Sequence, residues 1–463
     1  MLIWPAVITH ASQPAQADLP PSMKTNDPSR KVSFMKSTGF GSLSSAMTIT
    51  GMLGATFIGV SSIPSASAQE STDRLIPYKP AELTDKDFSF GDLSLDLGGR
   101  IGATYFDNLA LSDSGDTDDF AIEAGLNVRA FYQPMRDFAL NLDLMVGYQH
   151  YLDFDELNTL LIQPGSEFRI ERRFSDFKVS VYDRLGVEMN PLSRPYVSGD
   201  PTTLGTDQAL EWRFLRNTAG TGLTWQPQRQ FYTQSNYEFD LDRSLTDSFK
   251  NQNRDRHTIK SGAYYDFTRQ LNAGIEGQYA VTRYSESSVN NAQNDSDGFE
   301  VGPNVKYQFN RSLDIAGKAA FQTINYDQTG NIGALEDFDG INYRVDLNYR
   351  PSRSYTHSLF GQRLIDDGFG TNFAEQTMVG YLMTASLPQE VTASFNATYI
   401  WLDTSSGPLA EEASITQAGI SLSKALSRKA NLGVTYILNL KDSEVTLRDF
   451  QQNVISVFLN YDF

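Results

Sequence analysis

The sequence predicts an all-β fold, a transmembrane antiparallel up-and-down β-barrel of about 18 strands, with short turns at one end and longer loops at the other. Three observations carry this. The chain ends on a strand whose alternate residues are apolar up to the last one. Short turns of similar composition recur at roughly forty-residue intervals, the length of two strands and a longer loop. The stretches between them alternate apolar with polar side chains instead of running apolar throughout.

Residues 1–68 read as targeting sequence. Met35-Lys36 opens a basic n-region, Ala46 to Val60 is an apolar run of h-region length, and Ala66-Ser67-Ala68 is a small-x-small cleavage site before Gln69. This pattern places the signal peptide at residues 35–68 and leaves 1–34, with its five prolines, as an N-terminal extension. Translation then starts at Met35, and a long leader from Met1 is the alternative. Residues 69–90, with Pro77 and Pro80, form a periplasmic lead-in, expected to be disordered, and the barrel occupies 91–463.

Composition narrows the function. The chain has no cysteine, which excludes disulfide scaffolds and thiolate metal sites. Of its 38 basic and 56 acidic residues, the leader holds four (Lys24, Arg30, Lys31, Lys36) and two (Asp18, Asp27), so the remainder carries a net charge of −20. That balance argues against a nucleic-acid partner. Tyr and Phe, at 22 and 29, far outnumber the four Trp, as suits rings at a membrane interface.

Eight short turns centre on Pro134, Ser175, Pro227, Thr268, Asn310, Pro351, Pro388 and Ser427, and longer polar segments such as Asn108 to Asp119 and Asn190 to Asp207 fall between them. A first strand over Leu93 to Phe106, two strands for each turn and a returning terminal strand give eighteen. Sixteen is the alternative, because alternation falters over Leu157 to Phe174 and over Ser354 to Ile365. Elsewhere it is clear. Phe138, Leu140, Leu142, Leu144, Val146 and Tyr148 face one way, and Asn141, Asp143, Gly147 and Gln149 the other. Ile341 to Tyr349 and Val391 to Trp401 repeat the pattern. With no helix to cover so many apolar faces, lipid is their natural medium and the polar faces turn inward.

The last strand carries Ile455, Val457, Leu459, Tyr461 and Phe463 on one face. It resembles the C-terminal assembly signal of bacterial outer-membrane β-barrel proteins, with Phe458 where many such signals have Gly. The resemblance implies a Gram-negative outer membrane, periplasmic short turns, extracellular long loops and recognition by the barrel assembly machinery. The chain as a whole is similar to β-barrel porins, in particular a group associated with exopolysaccharide export. That likeness covers architecture, leader and terminus and transfers no catalytic residue.

About sixteen to eighteen strands leave an aqueous lumen. Its expected lining is charged with both signs: Arg100, Arg129, Asp143, Arg169, Arg173, Arg184, Glu276, Lys306, Lys318, Arg344 and Asp346. Opposed charges set up a transverse field, or simply keep a solvated wall paired. Phe131, Tyr151, Tyr182, Tyr232, Tyr264 and Tyr326 also fall inward and offer flat surfaces for sugar, unless a register error displaces them from the interfacial girdles. His150, His257 and His357 stand apart from one another, without a metal or nucleophile motif, and the acidic loop from Asp113 to Asp119 has only the composition of a cation loop. The expectation is a non-enzymatic pore without cofactor or metal. The resemblance favours a role in exopolysaccharide export, with polysaccharide, periplasmic export components and outer-membrane lipid as partners. A general or substrate-selective diffusion porin and a structural or adhesive barrel are the alternatives.

Overall fold

Eighteen strands close into a ring in the computed structural model, which describes residues 88–463 apart from 114–116, 190–212, 286–292, 331, 334–335, 369, 408 and 447. Residues 1–87, which include the stretches read as extension, signal peptide and most of the lead-in, lie outside the described residues. A three-residue strand, β1 (Phe88–Phe90), ends the lead-in and folds back on β2 (Leu93–Phe106), pairing Phe90 with Leu93.

The ring continues through the hairpins β3 (Asp119–Met135) with β4 (Phe138–Tyr151), β5 (Thr159–Phe174) with β6 (Phe177–Met189), and β7 (Arg213–Gln228) with β8 (Phe231–Ser244). Next come β9 (Arg254–Asp266) with β10 (Leu271–Tyr284), and β11 (Ser296–Gln308) with β12 (Leu313–Tyr326). Then β13 (Phe338–Ser352) pairs with β14 (Tyr355–Asp367), β15 (Phe373–Leu387) with β16 (Val391–Thr404), and β17 (Glu412–Ala425) with β18 (Ala430–Ser443), leaving β19 (Phe450–Asp462) to close the ring. The connection inside each of these eight hairpins is one of the short turns read from the sequence, and all longer loops emerge at the opposite end. Helix among the described residues is confined to two 3-10 turns, Asp155–Leu157 and Asp247–Gln252.

Closure uses the predicted partner. β19 runs antiparallel to β2 from Val454 opposite Phe106 to Asp462 opposite Gly98. β2 is shared between its neighbours, since its first residues, Leu93 to Leu97, ladder with Tyr132 to Val128 of β3. The Gly98-Gly99 pair marks the handover, and the Phe463 N–H reaches Leu97 O at 3.0 Å. Closure gives every strand of the ring a hydrogen-bonded neighbour on each side, which a spanning sheet requires in hydrocarbon.

The exterior is apolar. Ile101, Leu126, Ile275 and Ile341 are each more than half exposed, and register puts them on one side of the wall with Phe138, Leu140, Leu142, Leu144, Val146 and Tyr148. A face this apolar is stable only in lipid.

The two uncertain stretches are strands with local causes for their irregularity. In β5 the register shifts between Ile162 and Ser166, where Gly165 takes φ +98° beside Pro164. Proline cannot donate to the ladder and only glycine adopts that φ without strain, so a bulge interrupts the alternation, which resumes with Phe168 and Ile170 on the same outer side as Leu160 and Ile162. In β14 the inward set includes Phe360 and Leu364 and the outward set includes His357 and Arg363, so hydropathy does not separate the faces. Eighteen strands is therefore the count.

Phe458 also finds its reason. It points inward opposite Gly433 of β18, whose added Cβ would lie 2.2 Å from the ring, and the Arg100 guanidinium sits 4.5 Å from the ring centroid. The ring lies flat over a glycine of the next strand, which protects backbone that would otherwise be bare. Tyr182 over Gly220 and Phe360 over Gly380 repeat this arrangement.

Candidate translocation site in the lumen

Two walls of different chemistry face each other across the lumen. From β2 to β13 the inward side chains are rich in charge. Register carries Arg100, Arg129, Asp143, Arg169, Arg173, Arg184, Glu276, Lys306, Lys318, Arg344 and Asp346 to this inner side. From β15 to β19 the described inward positions carry one lysine, Lys441, and one aspartate, Asp462, among Ser, Thr, Asn, Gln and apolar residues.

Most of the charged wall is locally paired. Arg100 lies 3.6 Å from Glu123, and Arg129 pairs with Asp96. Glu167 receives Arg169 at 2.5 Å and Arg184 at 2.7 Å, and both guanidiniums stand over the Tyr182 ring, whose hydroxyl donates to Glu238. Glu276 is held by the Tyr264 hydroxyl at 2.8 Å, the Asn304 amide at 2.7 Å and Lys318 at 3.5 Å, while Lys318 also meets Glu300 at 2.5 Å. Arg344 grips Asp346 with two bonds of 2.7 Å and donates to Gln362. Lys306 is half-buried with no ion pair among the described residues. The guanidinium fork explains why arginine dominates here, since it satisfies several acceptors from one rigid group.

The inward aromatics are placed differently from the sequence expectation. Phe131, Tyr151, Tyr182, Tyr232 and Tyr264 do face inward, but all five are buried, and only Tyr326 is half-buried. Tyr232 and Tyr264 stack on each other at 4.8 Å. They seal the wall, and their faces are not open platforms for sugar.

The narrowing of the outer half was not legible in the sequence. Phe249, in the loop 245–253, is fully buried and belongs to one apolar cluster with Phe214 of β7 and with Phe360, Ala374, Met378, Ile400, Leu402 and Ile415 of β14 to β17. Strands that far apart in the ring meet only across the interior, so the loop bridges the lumen. Arg254 and Arg256 of β9 reach Asp367 of β14 in the same way, the second at 3.7 Å. Asp242 holds the other side of Arg254 at 2.9 Å and binds Arg216 at 2.9 Å. Nearer the mouth the outer loops are tied together, Asn294 to Asn372 at 2.9 Å and Asn372 to the Glu336 carbonyl at 2.8 Å. A buried cluster fixes the loop after β16, where Lys441 binds Glu411 at 2.7 Å with both side chains wholly inaccessible.

Ile455, Val457, Leu459 and Tyr461, expected from the sequence to form an assembly signal, lie on the outer face, and the Phe463 ring meets Tyr461 edge-on at 5.6 Å. His150, His257 and His357 also face outward and bond Asn158, Tyr237 and Tyr381 respectively.

The architecture is that of an outer-membrane β-barrel. No protein-family model matches the sequence, and neither does any curated protein. Solved structures of similar shape include the outer-membrane protein OpdK of Pseudomonas aeruginosa, at 14% identity over 81% of this chain and 100% of that one, with a TM-score of 0.45. OccK5 (OpdH) of the same organism is 13% identical over 80% and 98%, with a TM-score of 0.43, and OccAB3 of Acinetobacter baumannii 10% identical over 81% and 100%, with a TM-score of 0.44. The wall chemistry and the bridging loop are read from this chain's own residues.

Proposed function

We propose that this barrel is a selective diffusion channel for small polar solutes. The observation that supports the reading is the bridged outer lumen, in which the Phe249 loop and the Arg254–Asp367 contact divide a wide ring into narrower passages lined by polar groups. A wall of paired charges opposite a sparsely charged wall orders water and sorts solutes by charge and size. Catalysis plays no part in this reading. Exopolysaccharide export loses the feature that favoured it in the lumen, since the inward rings are covered and a thick polymer would have to displace the bridging loop. Planar-bilayer recording tests the proposal. Discrete steps smaller than those of an unobstructed barrel of this strand number are expected, and a barrel that never conducts overturns it.

A further inference from the structure

A continuous row of hydroxyls crosses the sparsely charged wall and ends on β2. Thr356 on β14 is directly opposite Thr384 on β15, which is opposite Ser394 on β16, then Ser421 on β17, Thr435 on β18 and Ser456 on β19. Across the seam the row ends at Thr104 of β2. Seven neighbouring strands thus place a β-hydroxyl at the same register position on the lumen side.

Strand tilt turns this sideways row into a path along the barrel. Thr356 is the second residue of β14, beside its short turn, whereas Thr104 is two residues from the loop end of β2. The row therefore climbs from the periplasmic mouth towards the outer one. It also avoids the bridge, because the apolar cluster occupies β14 to β17 at Phe360, Ile400 and Ile415, and the row is already on β18 and β19 at its upper part.

Two contacts are internal to the row, Thr435 to Ser421 at 3.0 Å and Thr104 to Ser456 at 2.9 Å. The hydroxyls of Thr356, Thr384 and Ser394 have no protein partner among the described residues. Ser394, Ser421 and Thr435, in the middle, are half-buried and border the lumen, while Ser456 and Thr104 are buried. Four residues outward from Ser394 and from Ser421 along their strands, Thr398 Oγ1 and Gln417 Oε1 are buried without a hydrogen-bond partner among the described residues.

On the channel reading above, we propose that this row is the track for uncharged polyhydroxylated solutes of sugar or polyol type. A hydroxyl both donates and accepts, so each rung can trade a bond to water for a bond to a solute hydroxyl without desolvating a charge. Rungs on neighbouring strands are about 4.8 Å apart, close to the span of one sugar ring. The paired charges opposite attract and orient ions, and the two walls thereby divide the work between charged and neutral solutes.

The test is liposome swelling in isotonic sorbitol and in isotonic potassium gluconate, a polyol and an anion of similar size, with KCl conductance recorded in parallel. The variant Ser394→Ala/Ser421→Ala/Thr435→Val should swell in sorbitol about fivefold more slowly, the effect of roughly one lost hydrogen bond, while gluconate entry and KCl conductance hold. Should the triple variant fail to assemble, Ser421→Ala alone is expected to slow sorbitol by about twofold. An unchanged sorbitol rate, or sorbitol and gluconate falling together, overturns the track. A wild-type barrel that conducts no KCl overturns the channel reading itself and the track with it.

Discussion

Truncating Phe249 to alanine separates a loop that bridges the lumen from one that merely rests in it. The side chain is fully buried against a wall several strands away, so Phe249→Ala removes the apolar contacts across the lumen. Local bonds survive, including the Leu245 N–H to Arg213 O at 2.7 Å and the Ser244 N–H to Asn253 Oδ1 at 2.6 Å. Phe→Ala at a buried site costs about 3–5 kcal/mol, and since ~1.4 kcal/mol is a factor of ten, the docked state loses roughly two to nearly four orders of magnitude in its favour. Single-channel recording should show a larger and noisier conductance, and limited trypsin digestion should cut faster after Lys250. Leu245→Ala, at a half-exposed position of the same loop, should change neither. If Phe249→Ala leaves conductance, noise and digestion as in the wild type, the bridge is not held by this side chain.

Other predictions concern closure, packing and charge. Deleting Phe463 removes its edge-on contact with Tyr461 and the bond to Leu97 O, and should lower the fraction of assembled barrel seen as the heat-modifiable band on a gel. Cysteines replacing Ala103 and Val457, or Thr104 and Ser456, should cross-link in the assembled protein, and failure of both pairs would contradict the closing register. Glu411→Gln leaves Lys441 buried without its anion and should cost about 3 kcal/mol, read as a fall in the denaturant midpoint. Gly433→Ala pushes a methyl into the Phe458 ring at a cost of about 1–3 kcal/mol, and Phe458→Ala in the same chain should restore part of it. Neutralising Arg184 and Lys318 to glutamine should shift the reversal potential in a KCl gradient towards cation preference.

How much of this was legible in the chain varies with the interaction responsible. Strand positions follow from period-two alternation, which is local, and it fails only where a local device interrupts it. Pro164-Gly165 shows that a bulge can be seen as a proline and a glycine, while the two-residue shift of register it causes is not seen. Phe458 reads as a departure from the assembly pattern, yet its neighbours in space, Gly433 and Arg100, lie 25 and 358 positions away and make it a wall residue. The inward direction of Tyr182 and Tyr264 was readable, but their burial over glycines of neighbouring strands required the register.

By itself the sequence determined the all-β class, the strand positions, the partner of the last strand and the polarity of the two faces. Each depends on which side of a strand a residue occupies, and parity along the chain records that. Only the tertiary structure decided that the loop at 245–253 crosses the lumen, that Arg254 meets Asp367, and that seven hydroxyls fall into one row. Those relations depend on the register of many strands and on chords through the ring, and a residue's own neighbours in the chain carry no trace of what lies across a pore.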